Sequence, residues 1–190
     1  MMLEKTKIKN SFWVNADEVV HKLIYPALLG SMIYGLISGF TNEEHNCWHL
    51  FFKSGIVFFY LLDYSHLYTF MEKSFPKRKG NFVCIFIDCV VALLLTLVFC
   101  KIAPYQYLCI IPLLFAIYAG VLIDNKYRCH IIFFHLVSGL IIFVISFFNE
   151  VLLIIVMILY YFILSFVERK WGTNNNDEYI ELTSNKEIHI

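Results

Sequence analysis

Six stretches of this sequence are so long and so apolar that the folded chain could not turn them all away from water. They run Leu23–Phe40, Trp48–Phe70, Phe82–Cys100, Tyr105–Ile123, Ile131–Phe148 and Val151–Val167. A helix needs about 20 apolar residues to cross a bilayer, within a range of about 17–25. A closed barrel also satisfies its backbone in lipid, but barrel strands alternate apolar and polar residues. These runs are apolar on all faces. The expected fold is therefore all-α, a polytopic bundle of about six transmembrane helices. Composition agrees, since only 16% of the 190 residues are charged, where a soluble domain has about a quarter.

Positive charge predicts the orientation. With the N-terminus inside, the inner segments 1–22, 71–81, 124–130 and 168–190 hold 13 of the 15 Lys and Arg residues. Cytoplasmic loops carry such an excess. Only Lys53 and Lys101 fall elsewhere. Both termini are expected in the cytoplasm and the chain in a plasma (inner) membrane. Abundant Phe and Tyr beside Ile, Asn and Lys suggest an AT-rich, bacterial genome. The first 22 residues carry Lys5, Lys7, Lys9, Asp17, Glu18 and Lys22, so no cleavable signal peptide is expected. Residues 1–170 read as one membrane domain and 171–190 as a polar, flexible tail. Asn15 followed by Asp17 and Glu18 resembles a helix N-cap, which predicts that helix one starts near Ala16. Pro26 and Pro112 lie within spans, where proline kinks helices.

The candidate site is a group of inner-leaflet polar residues. Asp63 is seven residues from the inner end of the second span and Asp88 six from the inner start of the third, so both lie ~10 Å deep at 1.5 Å per residue. His66 shares a helix face with Asp63, and His135 starts near the same depth. An ionised residue at mid-membrane costs about 2.5–3.5 kcal/mol, so these groups need partners or a role. A proton relay, a cation site and a divalent metal site all suit carboxylates with imidazoles. Local hydrogen bonds within the bundle are the plainer alternative.

Three other features stand out. Ala27, Ser31, Gly35 and Gly39 form a ladder of small residues at four-residue spacing, suited to close helix packing or to docking another subunit. Lys73, Lys77, Arg78 and Lys79 form a basic loop that would fix topology and contact lipid headgroups or a cytosolic partner. His45 and His49, with Cys47 between them, are a weak metal candidate, and their spacing matches no strong zinc pattern. The six cysteines read mostly as small hydrophobes, with a Cys47–Cys100 disulfide open on the outer side.

Zero net charge and the lack of a basic aromatic surface argue against nucleic-acid binding. No GxSxG, HExxH, P-loop or GxGxxG is present, and no cofactor is implied. In size, helix number and the ladder spacing, the chain resembles the substrate-binding subunits of energy-coupling-factor transporters. That resemblance implies a helical transporter subunit docking through helix one, and it carries over no substrate residue. The leading expectation is a small transporter or channel subunit with an inner-leaflet acidic and histidine site. The alternative is a non-catalytic assembly or signalling subunit that anchors a cytosolic partner, as in a bacterial stress or phage-defence system. A membrane-embedded enzyme using Asp63, His66, Asp88 and His135 ranks third. Membrane lipids and a homo-oligomer are the remaining expected partners.

Overall fold

The structure, a computed structural model, describes residues 12–41, 47–67, 78, 80–123 and 127–172, without the side chains of 168–172. Six helices and no strands are present among the described residues. They are α1 (Phe12–Thr41), α2 (Cys47–His66), α3 (Phe82–Phe99), α4 (Tyr105–Leu122), α5 (Arg128–Ile145) and α6 (Glu150–Gly172). All but α2 are long and apolar enough to cross a membrane. Lys53, Asp63 and His66 dilute α2, although its 20 residues would reach about 30 Å, the hydrocarbon thickness.

The helices close a ring in the order α1, α2, α6, α5, α4, α3, and α3 also touches α2 across it. The outside of this ring is apolar. Leu23, Phe133 and Phe166 are each about two-thirds exposed, an arrangement that suits lipid and would be a liability in water. The interior runs from Ile56, Phe59 and Tyr60 of α2 through Val91, Ala92 and Leu95 of α3 to Leu153, Ile154 and Met157 of α6.

Local chemistry explains the irregular places. Helix one starts by Phe12, earlier than the expected Ala16, so Asn15 lies inside it and not at its cap. The extra turn places the Trp13 ring 4.8 Å from that of Phe82 and carries Asp17 into the bundle. A π-helical turn spans Val20–Ile24, just before Pro26. Proline has no N–H for the carbonyl four residues back and crowds it, and a wider turn relieves that conflict. In α4 a 3-10 stretch, Tyr105–Cys109, precedes the α-helix that contains Pro112 in its first turn, where proline is tolerated. Asn81 caps α3 by accepting from the Val83 N–H at 3.0 Å. Asn149 caps α6 through the Val151 and Leu152 N–H groups.

Two glycines mark close approaches. A Cβ on Gly55 would lie 2.5 Å from Ile154 Cγ1, so α2 can seat against α6 only with glycine there. Gly80 has φ +72° and lies against Val14, which lets the chain before α3 fold back onto the start of α1.

Candidate functional site

The polar side chains gather at the end of the bundle where α1 and α3 begin and α2 and α4 end. Three of them come from α1. Asp17, His21 and Tyr25 recur every four residues, so one stripe of α1 faces inward, and all three are buried. From α3 comes Asp88, from α2 Asp63, from α4 Tyr118 and from α6 Tyr161.

Arg78 holds the first half of the cluster together. It was expected on a basic loop facing lipid or a cytosolic partner, yet only 4% of it is exposed. Its Nη2 donates to Asp88 Oδ2 at 2.8 Å and lies 2.6 Å from His21 Nε2. Its Nε donates to the Tyr118 hydroxyl. The fold-back at Gly80 makes this burial reachable, and a buried carboxylate without a partner would cost far more than the loop does. Burial alone would lower the Arg78 pKa. Tyr118 and Asp88 beside it more than offset that, so the guanidinium is held above its ordinary value and stays charged.

His21 can be read atom by atom. Its Nδ1 lies 2.8 Å from the Asp17 carbonyl oxygen. A carbonyl only accepts, so Nδ1 carries a proton. In the singly protonated ring Nε2 accepts from one Arg78 Nη2 hydrogen while the other goes to Asp88. The same Nε2 is 3.2 Å from Asp88 Oδ2, so a doubly protonated ring would compete with Arg78 for that oxygen. Asp17, His21 and Asp88 present donor atoms within 4.8 Å of one another, a grouping that could suit a metal ion. Arg78 supplies the positive charge at that place.

Asp63 is arranged differently. It is 1% exposed, and no cation lies within ion-pair distance of it among the described residues. Tyr25 reaches its Oδ2 at 3.2 Å and Tyr161 its Oδ1 at 3.3 Å. The Tyr25 hydroxyl is also 3.1 Å from the Asp88 carbonyl oxygen. Its ring is anchored between Tyr60 and Tyr64, and the Tyr60 hydroxyl donates to the Tyr25 carbonyl oxygen. Asp63 borders a cavity of ≈ 30 Å³ lined also by His66, Tyr118, Tyr161, Leu122, Ile123 and Leu164. That is room for about two waters and too little for an organic substrate.

The expected quartet therefore divides. Asp63 and His66 border one cavity, and Tyr25 links Asp63 to the backbone of Asp88. His135 stands apart. It is buried, its Nδ1 lies 2.7 Å from the Tyr160 hydroxyl, and Phe115 and Phe134 pack on it. Asp17, His21, Tyr25 and Tyr118 were not anticipated as site residues. The signal for the first three was the four-residue polar stripe on α1; nothing local marks Tyr118.

The remaining candidates scatter. In the ladder, Ala27 and Ser31 face outward, whereas Gly35 and Gly39 receive Phe99 and Leu50 inside the bundle. His49 lies 3.5 Å from Glu150 of α6. His45, Lys73, Lys77 and Lys79 lie outside the described residues. All six cysteines are free thiols, including Cys47 and Cys100.

No family model matches the chain, and comparison with curated proteins and with solved structures gives no match either.

Proposed function

We propose that this chain is a subunit of a small transporter or channel that moves protons, with Asp63 as the site where the proton is held. The observation that carries the reading is the unequal treatment of two neighbouring carboxylates. Asp88 has a guanidinium at 2.8 Å. Asp63, equally buried, has only tyrosine hydroxyls as hydrogen-bond partners among the described residues and borders a cavity that fits water.

Donor counting supports a proton on Asp63. Tyr25 has one hydroxyl hydrogen and two acceptors in reach, Asp63 Oδ2 and the Asp88 carbonyl. With Asp63 ionised, one acceptor goes short. With Asp63 protonated, its O–H donates to Tyr25, and Tyr25 donates onward to the Asp88 carbonyl, so both are satisfied. A neutral acid also removes the expense of an unpaired charge in a low-dielectric site. Waters in the cavity then connect this acid towards the ends of α2 and α4.

In this reading all six helices cross the plasma (inner) membrane. The basic end, which carries 13 of the 15 cations, faces the cytoplasm together with both termini. Helix α2 is the sixth crossing, its polar groups turned inward.

The test is proton flux into proteoliposomes under an imposed potential, read by an internal pH dye. The wild-type chain is expected to exceed empty vesicles, and Asp63→Asn to fall to their level. Unchanged flux in Asp63→Asn would remove Asp63 from any transport role.

The assembly-subunit reading draws support from α1, where Ala27, Gly30 and Ser31 face outward and a Cβ on Gly30 would meet nothing within 4 Å. Such a face suits another helix. Co-purification of a tagged chain with a stoichiometric partner would favour it over the transporter.

A further inference from the structure

The two basic residues that escape the basic end, Lys53 and Lys101, meet at the opposite end of the bundle. Both line an open cavity of ≈ 370 Å³ between α2, the α3–α4 turn and the start of α6. Its volume falls within the range of about 300–1,000 Å³ usual for small-molecule sites. We propose that this cavity binds a small organic anion, a monocarboxylate with an aromatic or aliphatic body.

Charge is the first argument. Neither lysine is within ion-pair distance of a carboxylate among the described residues. The acid in the lining, Glu150, is engaged instead by His49 at 3.5 Å. Two cations against one acid leave the cavity with an excess of positive charge, which a single carboxylate would neutralise. Lys53 is half-buried within α2, and its Nζ stands 5.1 Å from the centre of the Phe99 ring. An aromatic face is a weak substitute for an anion, so Lys53 retains the capacity to pair with one.

The backbone at Lys101 is the second argument. Its φ is +59°, and the turn closes through Lys101 N–H to the Val98 carbonyl and Ile102 N–H to the Leu97 carbonyl. This is the left-handed position after a helix that glycine or asparagine normally takes. A lysine there is disfavoured by the backbone, and the turn sets it in the wall of the cavity. The body of the ligand would lie on Phe99 and Tyr105, which complete the wall.

The site is independent of Asp63, which lies towards the basic end of α2. In the orientation proposed above it opens on the outer face.

The test is calorimetric titration of the purified full chain with 3-phenylpropionate, hexanoate and, as a cation of matching shape, 2-phenylethylamine. Saturable binding of the two carboxylates, and none of the amine, is expected. Lys53→Gln and Lys101→Asn should each weaken carboxylate binding about tenfold or more, as expected for losing a charged hydrogen bond. Asparagine tolerates the left-handed backbone, so Lys101→Asn keeps the turn even if Lys53→Gln fails to fold. The bound carboxylate should also shield Lys53 and Lys101 from amine acylation. Asp63→Asn should bind like wild type, so loss of proton flux with retained binding would separate the two readings. No carboxylate binding by the wild type, equal binding of the amine, or a Lys101→Asn protein that binds and labels like the wild type would each overturn the proposal.

Discussion

The two ends of this bundle handle charge in opposite ways. At the basic end, Arg78 sits between the Asp88 carboxylate and His21, His21 lies beside Asp17, and the neighbouring cavity has room for about two waters. At the other end, Lys53 and Lys101 lie in an open cavity about twelve times larger, and among the described residues neither is paired with a carboxylate. Buried charge is bearable only when paired, and the cost of removing one partner exceeds the worth of the pair. Charge beside water needs no partner, so it remains free to bind. The first region should therefore govern stability and the second affinity. Asp63 lies between these cases, being buried like Asp88 but uncompensated like the lysines.

The largest effect should come from breaking the compensated end. Arg78→Met leaves Asp88 buried without its cation and should destabilise the chain by about 3–5 kcal/mol. Thermal unfolding in detergent measures this, and adding Asp88→Asn should recover a large part of the loss. An Arg78→Met protein as stable as the wild type would mean that Arg78 is a loop charge after all.

Next is the seam that carries both Asp63 and Lys53 on one helix. Gly55→Ala places a methyl 2.5 Å from Ile154 Cγ1 and should cost about 1–3 kcal/mol through overpacking. Adding Ile154→Ala should relieve it by making room. If the single change is silent, α2 does not seat on α6 as described.

Smaller still is Tyr25→Phe, which removes the hydroxyl between Asp63 and the Asp88 carbonyl. A loss of about 1 kcal/mol is expected from one buried hydrogen bond, with proton flux falling further than stability does. Flux at the wild-type level would leave Tyr25 as packing alone. The smallest change in stability belongs to Lys53→Gln, within about 0.5 kcal/mol as for a substitution away from paired charges. A larger loss would show that Lys53 has a structural partner and would blur the contrast between the ends.

Much of the helical framework is legible from composition and run length, because an apolar run of this length has few other structures open to it. The matching depths of Asp63 and Asp88 are legible too, since helix rise converts residue number to distance. What escapes is anything set by the chain folding back. Arg78 sits among lysines and reads as one more loop cation, and its burial against Asp88 and Tyr118 leaves no mark in the local sequence. Tyr25, Tyr118 and Tyr161 stand in apolar runs where an aromatic ring is ordinary packing, and their hydroxyls gain meaning only once a carboxylate or guanidinium faces them. Depth groups His135 with the acids but says nothing about which side of a helix a residue occupies, and His135 bonds Tyr160 instead. Lys53 and Lys101 were visible as exceptions to the charge rule. Their convergence on one cavity was not, because they stand 48 positions apart in the chain.

The account turns on Asp63 being held as a neutral acid while Asp88 is a fixed ion. Infrared difference spectra of the chain in lipid bilayers separate the two, because a protonated carboxyl has its own carbonyl stretch. The account predicts such a band at neutral pH in the wild type and in Asp88→Asn, shifted by deuterium exchange and missing in Asp63→Asn. A wild-type spectrum without it, or a band that vanishes with Asp88→Asn and survives Asp63→Asn, would contradict the assignment.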